Sequence, residues 1–278
     1  MCFQPPYLDS KAKIYEKPVL GYILVGNNIQ SEMYVKMKKR ECDKIGIEYI
    51  GHQVPQDISQ TQLVQYVQEL QDNPIVSGIL VQLPLPGHIN EAKVLDVISP
   101  DKDVDGLSPY NIGCLALKKR QPYFNSCTPY GVLKLIQSVC PDIKGKKVTI
   151  CGRSNIVGMP LSLLLNKHNA TVSICHSHTE KIEEFVKNAD IVVTAVGNPH
   201  FFKGEWFREG AIAIDVGINK ITVQNELGQK VQKIVGDIDF DRAIERCEFI
   251  TPVPGGVGPM TIAMLMNNIV ESWEMKNF

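Results

Sequence analysis

The sequence predicts an α/β protein of two domains, one of them built on a doubly wound parallel sheet. Three observations carry that expectation. From residue 148 onward, short β-branched apolar runs alternate with helical stretches in the order β-α-β-α-β, which calls for a parallel sheet with right-handed crossovers. Before that, three further apolar runs between residues 19 and 81 are separated by two stretches of helical periodicity. Finally, 278 residues at 44% hydrophobic composition favour two cores over one.

Bulk properties narrow the function classes. A formal net charge of −1 gives no electrostatic drive toward nucleic acid or a membrane surface. No apolar run approaches the roughly 20 residues needed to cross a bilayer. The N-terminus lacks a basic stretch followed by an apolar one, so no secretory signal is read, and a cytoplasmic protein is expected. The eight cysteines are scattered, without C-x-x-C or a histidine at ligand spacing. Several fall inside apolar strands, where a thiol acts as a small hydrophobe. A reducing compartment with no bound metal is the expectation.

The elements follow in order. Residues 19–25 form a buried strand closed by Gly26-Asn27-Asn28, and residues 31–44 read as a helix stopped by Gly46. On that helix Tyr34 and Lys38 are four apart and share a face with Ser31. Lys36, Lys39 and Arg40 point elsewhere, as a solvated cationic side would, and spacing alone does not single out Lys38 as a catalyst. A strand over 47–52 and an amphipathic helix over 59–71, with Leu63, Val67 and Leu70 on its buried stripe, come next. The strand over 76–81 ends in Gln82-Leu83-Pro84-Leu85-Pro86-Gly87. Its prolines stop the strand and hold Gln82 at the carboxyl end, where open α/β sheets place ligands; a plain loop amide is the equal alternative. After a short helix over 91–98, the loop Ser99 to Gly106 carries Asp101, Asp103 and Asp105. It lacks the twelve-residue register of a calcium loop, leaving an exposed acidic turn or a carboxylate that grips a donor-rich ligand.

Thr128-Pro129 reads as a helix start, a hydroxyl N-cap followed by proline at the first helical position. That helix runs to Val139, and the domain boundary is placed near it, at 128/129. The second domain is expected as strand 148–151, helix 159–168, strand 171–175, helix 180–188, strand 190–194 and a strand over 212–219 that carries Asp215 and Gly217. A short helix over 241–245 precedes the loop from Thr251 to Met260, whose three glycines and three prolines make a rigid backbone-lined turn. A last helix runs from about Thr261 into Trp273, with Met260, Met264 and Met266 read as core filler.

The stretch of most chemical content is Gly152-Arg153-Ser154-Asn155-Ile156-Val157-Gly158, between the strand at 148–151 and a helix. A tight glycine turn at a helix N-terminus aims backbone N–H groups and the positive helix end at an anion, as in a dinucleotide-binding Rossmann unit. The spacing departs from G-x-G-x-x-G by one extra residue, with Ser154 at the second glycine position. The following strand ends at His176-Ser177-His178-Thr179, with no acid before Glu180 to accept from a ribose 2′-hydroxyl. Ser177 and the Arg153 guanidinium suit a 2′-phosphate instead, which favours NADP over NAD. A solvated loop arginine and a loop-filling serine are the alternative.

From Gly21 to Ala263 the chain resembles the bifunctional methylenetetrahydrofolate dehydrogenase/cyclohydrolase family. The resemblance rests on five motifs in order: Ser31 to Lys38, Val81-Gln82-Leu83-Pro84-Leu85, Pro100 to Gly106, Gly152 to Pro160, and Thr251 to Thr261. It implies a homodimer whose subunit has a three-layer folate-binding α/β domain, residues 1–128 completed by a C-terminal helix at 259–278, and an NADP-binding Rossmann domain, residues 129–258. A cleft between the two is implied as well. The implied activities are oxidation of 5,10-methylenetetrahydrofolate with NADP and hydrolysis of the methenyl product. By the same resemblance Lys38 handles the proton in hydrolysis, Gln82 hydrogen-bonds it and Tyr34 stacks on the folate. Asp105 would accept from the pterin edge. Val81, Leu83, Pro254, Gly255 and Gly256 would line the folate site, Gly152, Arg153, Ser154 and Ser177 would hold the cofactor, and Ile218 would lie near the nicotinamide. One departure stands out: only about half of the family's usual N-terminal helix precedes Val19, which is expected to cost stability without touching the site. A dehydrogenase without hydrolase activity is the nearest rival, and retention of Lys38 and Gln82 speaks against it. A non-catalytic folate- or NADP-binding homologue is the second. An unrelated Rossmann dehydrogenase, for shikimate-like acids, is the third.

Overall fold

The computed structural model describes residues 16–224 and 228–278. The described residues form two compact units, one within residues 16–109 with 265–278 and one within residues 110–264.

The first unit is organised on a three-stranded parallel sheet of β1 (Val19–Val25), β2 (Glu48–Val54) and β3 (Gly78–Val81), in the order β2-β1-β3. Central β1 is buried at every position except Tyr22, as an apolar strand covered on both faces should be. Edge strand β2 is fully buried only at Val54. On one face Ile23, Val25, Ile79 and Val81 pack with Leu63, Val67 and Leu70 of α2 (Gln60–Asp72) and Val94 of α3 (Glu91–Leu95). A capping box starts α2: the Ser59 hydroxyl accepts from Gln62 N, and the Gln62 side chain accepts from Ser59 N. The other layer holds α1 (Ile29–Ile45) and the end of α9 (Val257–Asn277), where the Cys42 thiol meets Met266 Sδ at 3.6 Å. Asn268 Nδ2 donates to Val104 O, and Ser272 Oγ to Ser77 O. The expected three layers are present.

The second unit carries a five-stranded parallel sheet: β4 (Lys147–Cys151), β5 (Thr171–Cys175), β6 (Ile191–Thr194), β7 (Ile212–Asp215) and β10 (Phe249–Ile250), in the order β10-β7-β6-β4-β5. The order reverses at β4, which pairs with β5 on one side and β6 on the other, so this is the doubly wound arrangement expected. On one face Val148, Ile150, Ile191 and Val193 pack against α5 (Cys127–Val139) and α6 (Gly158–Lys167). On the other, Cys151, Cys175 and Val192 pack near α7 (Ile182–Lys187), a 3-10 turn (Gly204–Trp206) and α8 (Phe240–Ala243).

Several details differ from the sequence expectation. Helix α5 starts at Cys127 after Ser126, and Thr128 does not cap it; the Thr128 hydroxyl instead pairs with that of Thr261 at 3.0 Å. The strand expected over 212–219 stops at Asp215, and a separate antiparallel hairpin follows, β8 (Asn219–Gln224) with β9 (Lys230–Val235). Helix α4 (Pro109–Ala116) was not anticipated; its Leu115 joins the core of the second unit, and the Lys167 ammonium binds Cys114 O and Arg120 O. That packing assigns 110–128 to the second unit, upstream of the expected 128/129 boundary. Lys39 is half-buried rather than freely solvated: its ammonium donates to Tyr22 Oη at 2.6 Å and lies over the Tyr22 and Tyr49 rings. The expected short N-terminal helix falls on residues outside those described.

Candidate active site

Helix α1 carries the first group of candidate residues. The Asn28 side chain accepts from Ser31 N at 3.2 Å, an N-cap bond that fixes where the helix begins. Tyr34 and Lys38 then stand one turn apart on the same stripe, both half-buried. Burial pushes the Tyr34 phenol above its ordinary pKa, so it presents a neutral ring.

Gln82 directly follows β3, where its backbone N–H donates to Ile23 O and extends the ladder by one residue. Its side-chain amide is held at both ends. Nε2 donates to Leu83 O at 2.8 Å, which leaves Oε1 to accept from Lys38 Nζ at 3.0 Å. The structure therefore joins two candidates 44 residues apart. Gln82 thus orients the Lys38 amine through a neutral acceptor.

The acidic loop divides its three carboxylates by role. Asp103 is buried and accepts from the backbone N–H groups of Gly106, Leu107 and Ser108, at 3.1, 3.2 and 2.7 Å. Lys102, also buried, donates to Gln71 O and Asn73 O. Asp101 is exposed. Asp105 is half-buried and its carboxylate makes no hydrogen bond among the described residues, so its acceptor capacity is left for a ligand. Val81 is buried in the strand, whereas Leu83 is half-exposed beside Gln82.

In the second unit, the turn after β4 is built by two glycines. Gly152 has φ +129°, and a Cβ there would stand 2.4 Å from Ala195 O. A Cβ at Gly158 would stand 2.1 Å from Gly152 O. The Ser154 hydroxyl accepts from Val157 N at 3.2 Å and Gly158 N at 3.5 Å, so it braces the first turn of α6. Cys151 and Cys175 are register partners, so the turns carrying Arg153 and Ser177 leave the sheet side by side, with both side chains exposed. A close-approach turn, the ten-residue helix α6 and an arginine fit a phosphorylated dinucleotide.

At the end of β7, Gly217 is buried and Ile218 is 43% exposed. Pro254 and Gly255 are exposed, Gly256 half-buried, and Gly255 has φ +110°. Sequence reasoning did not single out Asp237, a fully buried carboxylate that binds the loops after β6 and β7. Its one local signal is the Gly236-Asp237 pair at the end of a strand.

Fold and site together define a two-unit α/β protein of the dinucleotide-dependent class, with a helix-borne lysine paired to an amide. Residues 7–105 match the family model described as tetrahydrofolate dehydrogenase/cyclohydrolase, catalytic domain, and residues 126–277 match its NAD(P)-binding domain. The chain belongs to the tetrahydrofolate dehydrogenase/cyclohydrolase family. It is similar to "Bifunctional protein FolD 2" of Geobacter sulfurreducens, 48% identical over 93% of this chain and 87% of the relative. Among solved structures it is similar to the Trypanosoma brucei methylenetetrahydrofolate dehydrogenase-cyclohydrolase complexed with NADP cofactor and inhibitor. That pair gives a TM-score of 0.88 at 37% identity, over 93% of this chain and 87% of the other. The bifunctional enzyme from Campylobacter jejuni gives a TM-score of 0.84 at 41% identity, over 93% and 89%.

Proposed function

We infer that this chain oxidises 5,10-methylenetetrahydrofolate with NADP⁺ and hydrolyses the methenyl product to 10-formyltetrahydrofolate. The observation that carries the two-step reading is the Lys38–Gln82 hydrogen bond, in a chain that also has the Gly152 turn with Arg153. Family membership supports both activities.

NADP⁺, when bound, supplies the hydride acceptor. Loss of hydride leaves the methenyl cation, and no proton has to be removed, so the protein's task there is orientation. Gly152, Arg153, Ser154 and Ser177 would hold the dinucleotide and Ile218 would face its reactive ring. Hydrolysis is different. Water adds to the cationic carbon as the Lys38 amine takes one of its protons; the resulting carbinol then gives up its O–H proton as C=O forms, the bond to N5 breaks and N5 takes a proton, so that one proton is released overall. Gln82 keeps the amine aimed. Tyr34 would stack on the folate and Asp105 would accept from its amino-pyrimidinone edge. Val81 and Leu83, and the backbone of Pro254, Gly255 and Gly256, would complete the folate contacts.

On the family resemblance, folate handling is proposed for residues 1–128 with 259–278 and NADP handling for 129–258, although 110–128 and 259–264 fall in the second unit. Seven described cysteines are all thiols, five of them completely or nearly buried at 3% exposure or less, which supports a reducing compartment such as the cytoplasm. A homodimer is proposed on the family resemblance.

A coupled assay tests the reading. With 5,10-methylenetetrahydrofolate and NADP⁺, NADPH should form while methenyl-folate fails to accumulate. NADPH with stoichiometric, persistent methenyl-folate would instead mark a dehydrogenase alone, and binding without turnover a non-catalytic homologue.

A further inference from the structure

Two buried carboxylates in the second unit are left over by this mechanism. Asp237 follows β9 and is fully buried. Its Oδ2 accepts from Val196 N at 2.7 Å and Gly197 N at 3.1 Å, in the loop after β6. Its Oδ1 accepts from Asn198 N at 2.9 Å in the same loop, and from the Asn219 side chain at 2.8 Å. Asn219 is the residue after Ile218. One carboxylate thus ties the loop after β6 to the first residue of β8, just past the loop that leaves β7, at the carboxyl ends of adjacent strands where open α/β sheets bind their ligands.

Asp215, at the end of β7, fixes Asp237 in turn. Its Oδ1 accepts from Asp237 N at 3.1 Å, Gly217 N at 3.0 Å and the Thr194 hydroxyl at 3.1 Å, and its Oδ2 from Ile238 N at 2.8 Å. The backbone is shaped to admit both groups. A Cβ at Gly217 would lie 2.2 Å from the Asp237 carboxyl carbon, and one at Gly236 would lie 1.9 Å from Asp215 Oδ2. The two glycines flanking these acids are therefore places where only hydrogen fits. A carboxylate that accepts four hydrogen bonds from two loops holds them more rigidly than loop packing would, because each bond to a charged acceptor is among the stronger ones.

We propose that Asp237 is a positioning residue for hydride transfer, acting by setting the loops 196–198 and 217–219 against the nicotinamide end of NADP. The proposal rests on the NADP-dependent reading above. It assigns Asp237 no contact with substrate and no part in hydrolysis.

The two activities of one chain supply the control. Asp237→Asn keeps the shape and turns one acceptor oxygen into a donor that faces backbone N–H groups. Asn219→Ala removes only the tie beside Ile218. In both variants, hydride transfer from 5,10-methylenetetrahydrofolate is measured against NADP⁺. Hydrolysis of separately prepared methenyltetrahydrofolate is measured without NADP⁺, and NADP⁺ affinity by fluorescence titration. The expected result is a kcat/KM for NADP⁺ lower by about tenfold or more, with part of the loss in kcat, while hydrolysis stays within about twofold of the parent. Unchanged hydride transfer in both variants overturns the proposal, and so does an equal loss of both activities in Asn219→Ala. If the parent shows no hydride transfer, the functional reading fails separately, and the titration decides: weaker NADP⁺ binding in Asn219→Ala upholds the positioning role, and unaltered binding overturns it.

Discussion

The α-carbon of Gly158 is packed against the carbonyl of Gly152, so closely that a Cβ at 158 would stand 2.1 Å from that oxygen and 2.9 Å from Arg153 Cα. Both obstacles are backbone, and neither can rotate away. Gly158→Ala must therefore open the turn. The expected outcome is a thermal stability lower by about 1–3 kcal/mol, the usual range for overpacking, with NADP⁺ affinity reduced at least tenfold by titration. An alanine variant with parental affinity would show that the turn does not hold the phosphates.

Arg153 is the only fixed cation in that turn, and its side chain is exposed beside the loop that carries Ser177. Arg153→Ala should weaken NADP⁺ binding by about 1.5–3 kcal/mol, the value of a hydrogen bond to a charged group. NAD⁺ binding should hardly change. Equal weakening of both, in parallel titrations, would contradict the assignment of Arg153 to the 2′-phosphate.

The acidic loop separates a structural carboxylate from a ligand-facing one. Asp103→Ala removes the carboxylate that meets Leu107 N and Ser108 N at 3.2 and 2.7 Å, while Gly106 N keeps its bond to the main-chain oxygen of residue 103, and should cost about 2–4 kcal/mol by chemical denaturation. Asp105→Ala should leave stability within about 0.5 kcal/mol. It should raise the KM for folate in both reactions by about tenfold or more. The reverse pattern would exchange their roles.

Asp215 links stability to pH. Burial is the largest influence and lifts its carboxyl from 3.8 to about 6; the neighbouring Asp237 charge adds to this, against the N–H groups of Ile238, Asp237 and Gly217. A carboxyl that holds its proton more tightly in the folded chain contributes stability that is fully present below about pH 3.8 and lost as pH rises through about 6. The swing attributable to this one group is about 3 kcal/mol. Urea denaturation between pH 4 and pH 7 should show that fall in the parent, and Asp215→Asn should lack that component. Parallel pH profiles for the two would refute it.

Much of the fold was legible because β1, β3 and β6 are nearly continuous apolar runs, and α2 announces itself through Ser59 and its buried stripe. The β8–β9 hairpin was not, because its residues are largely exposed and polar, such as Lys220, Thr222, Lys230 and Gln232, and bury no continuous face. Helix α4 was hidden by its brevity and by Gly113 in its middle. For the candidate site, helical spacing placed Tyr34 and Lys38 on one stripe, but Gln82 is 44 residues from Lys38, and only sheet topology brings the strand end beside the helix. The Asp215–Asp237 arrangement depends on a hairpin returning the chain to the end of β7, which no local pattern reveals.

The most direct measurement is a pair of rates on Lys38→Met, a substitution that keeps the unbranched stem out to the ε position and removes the amine. Hydrolysis of methenyltetrahydrofolate should fall by at least about a thousandfold, because it loses its proton acceptor. Hydride transfer to NADP⁺ should stay within about tenfold of the parent. Equal loss of the two rates, or hydrolysis that survives without the amine, would contradict this role for Lys38.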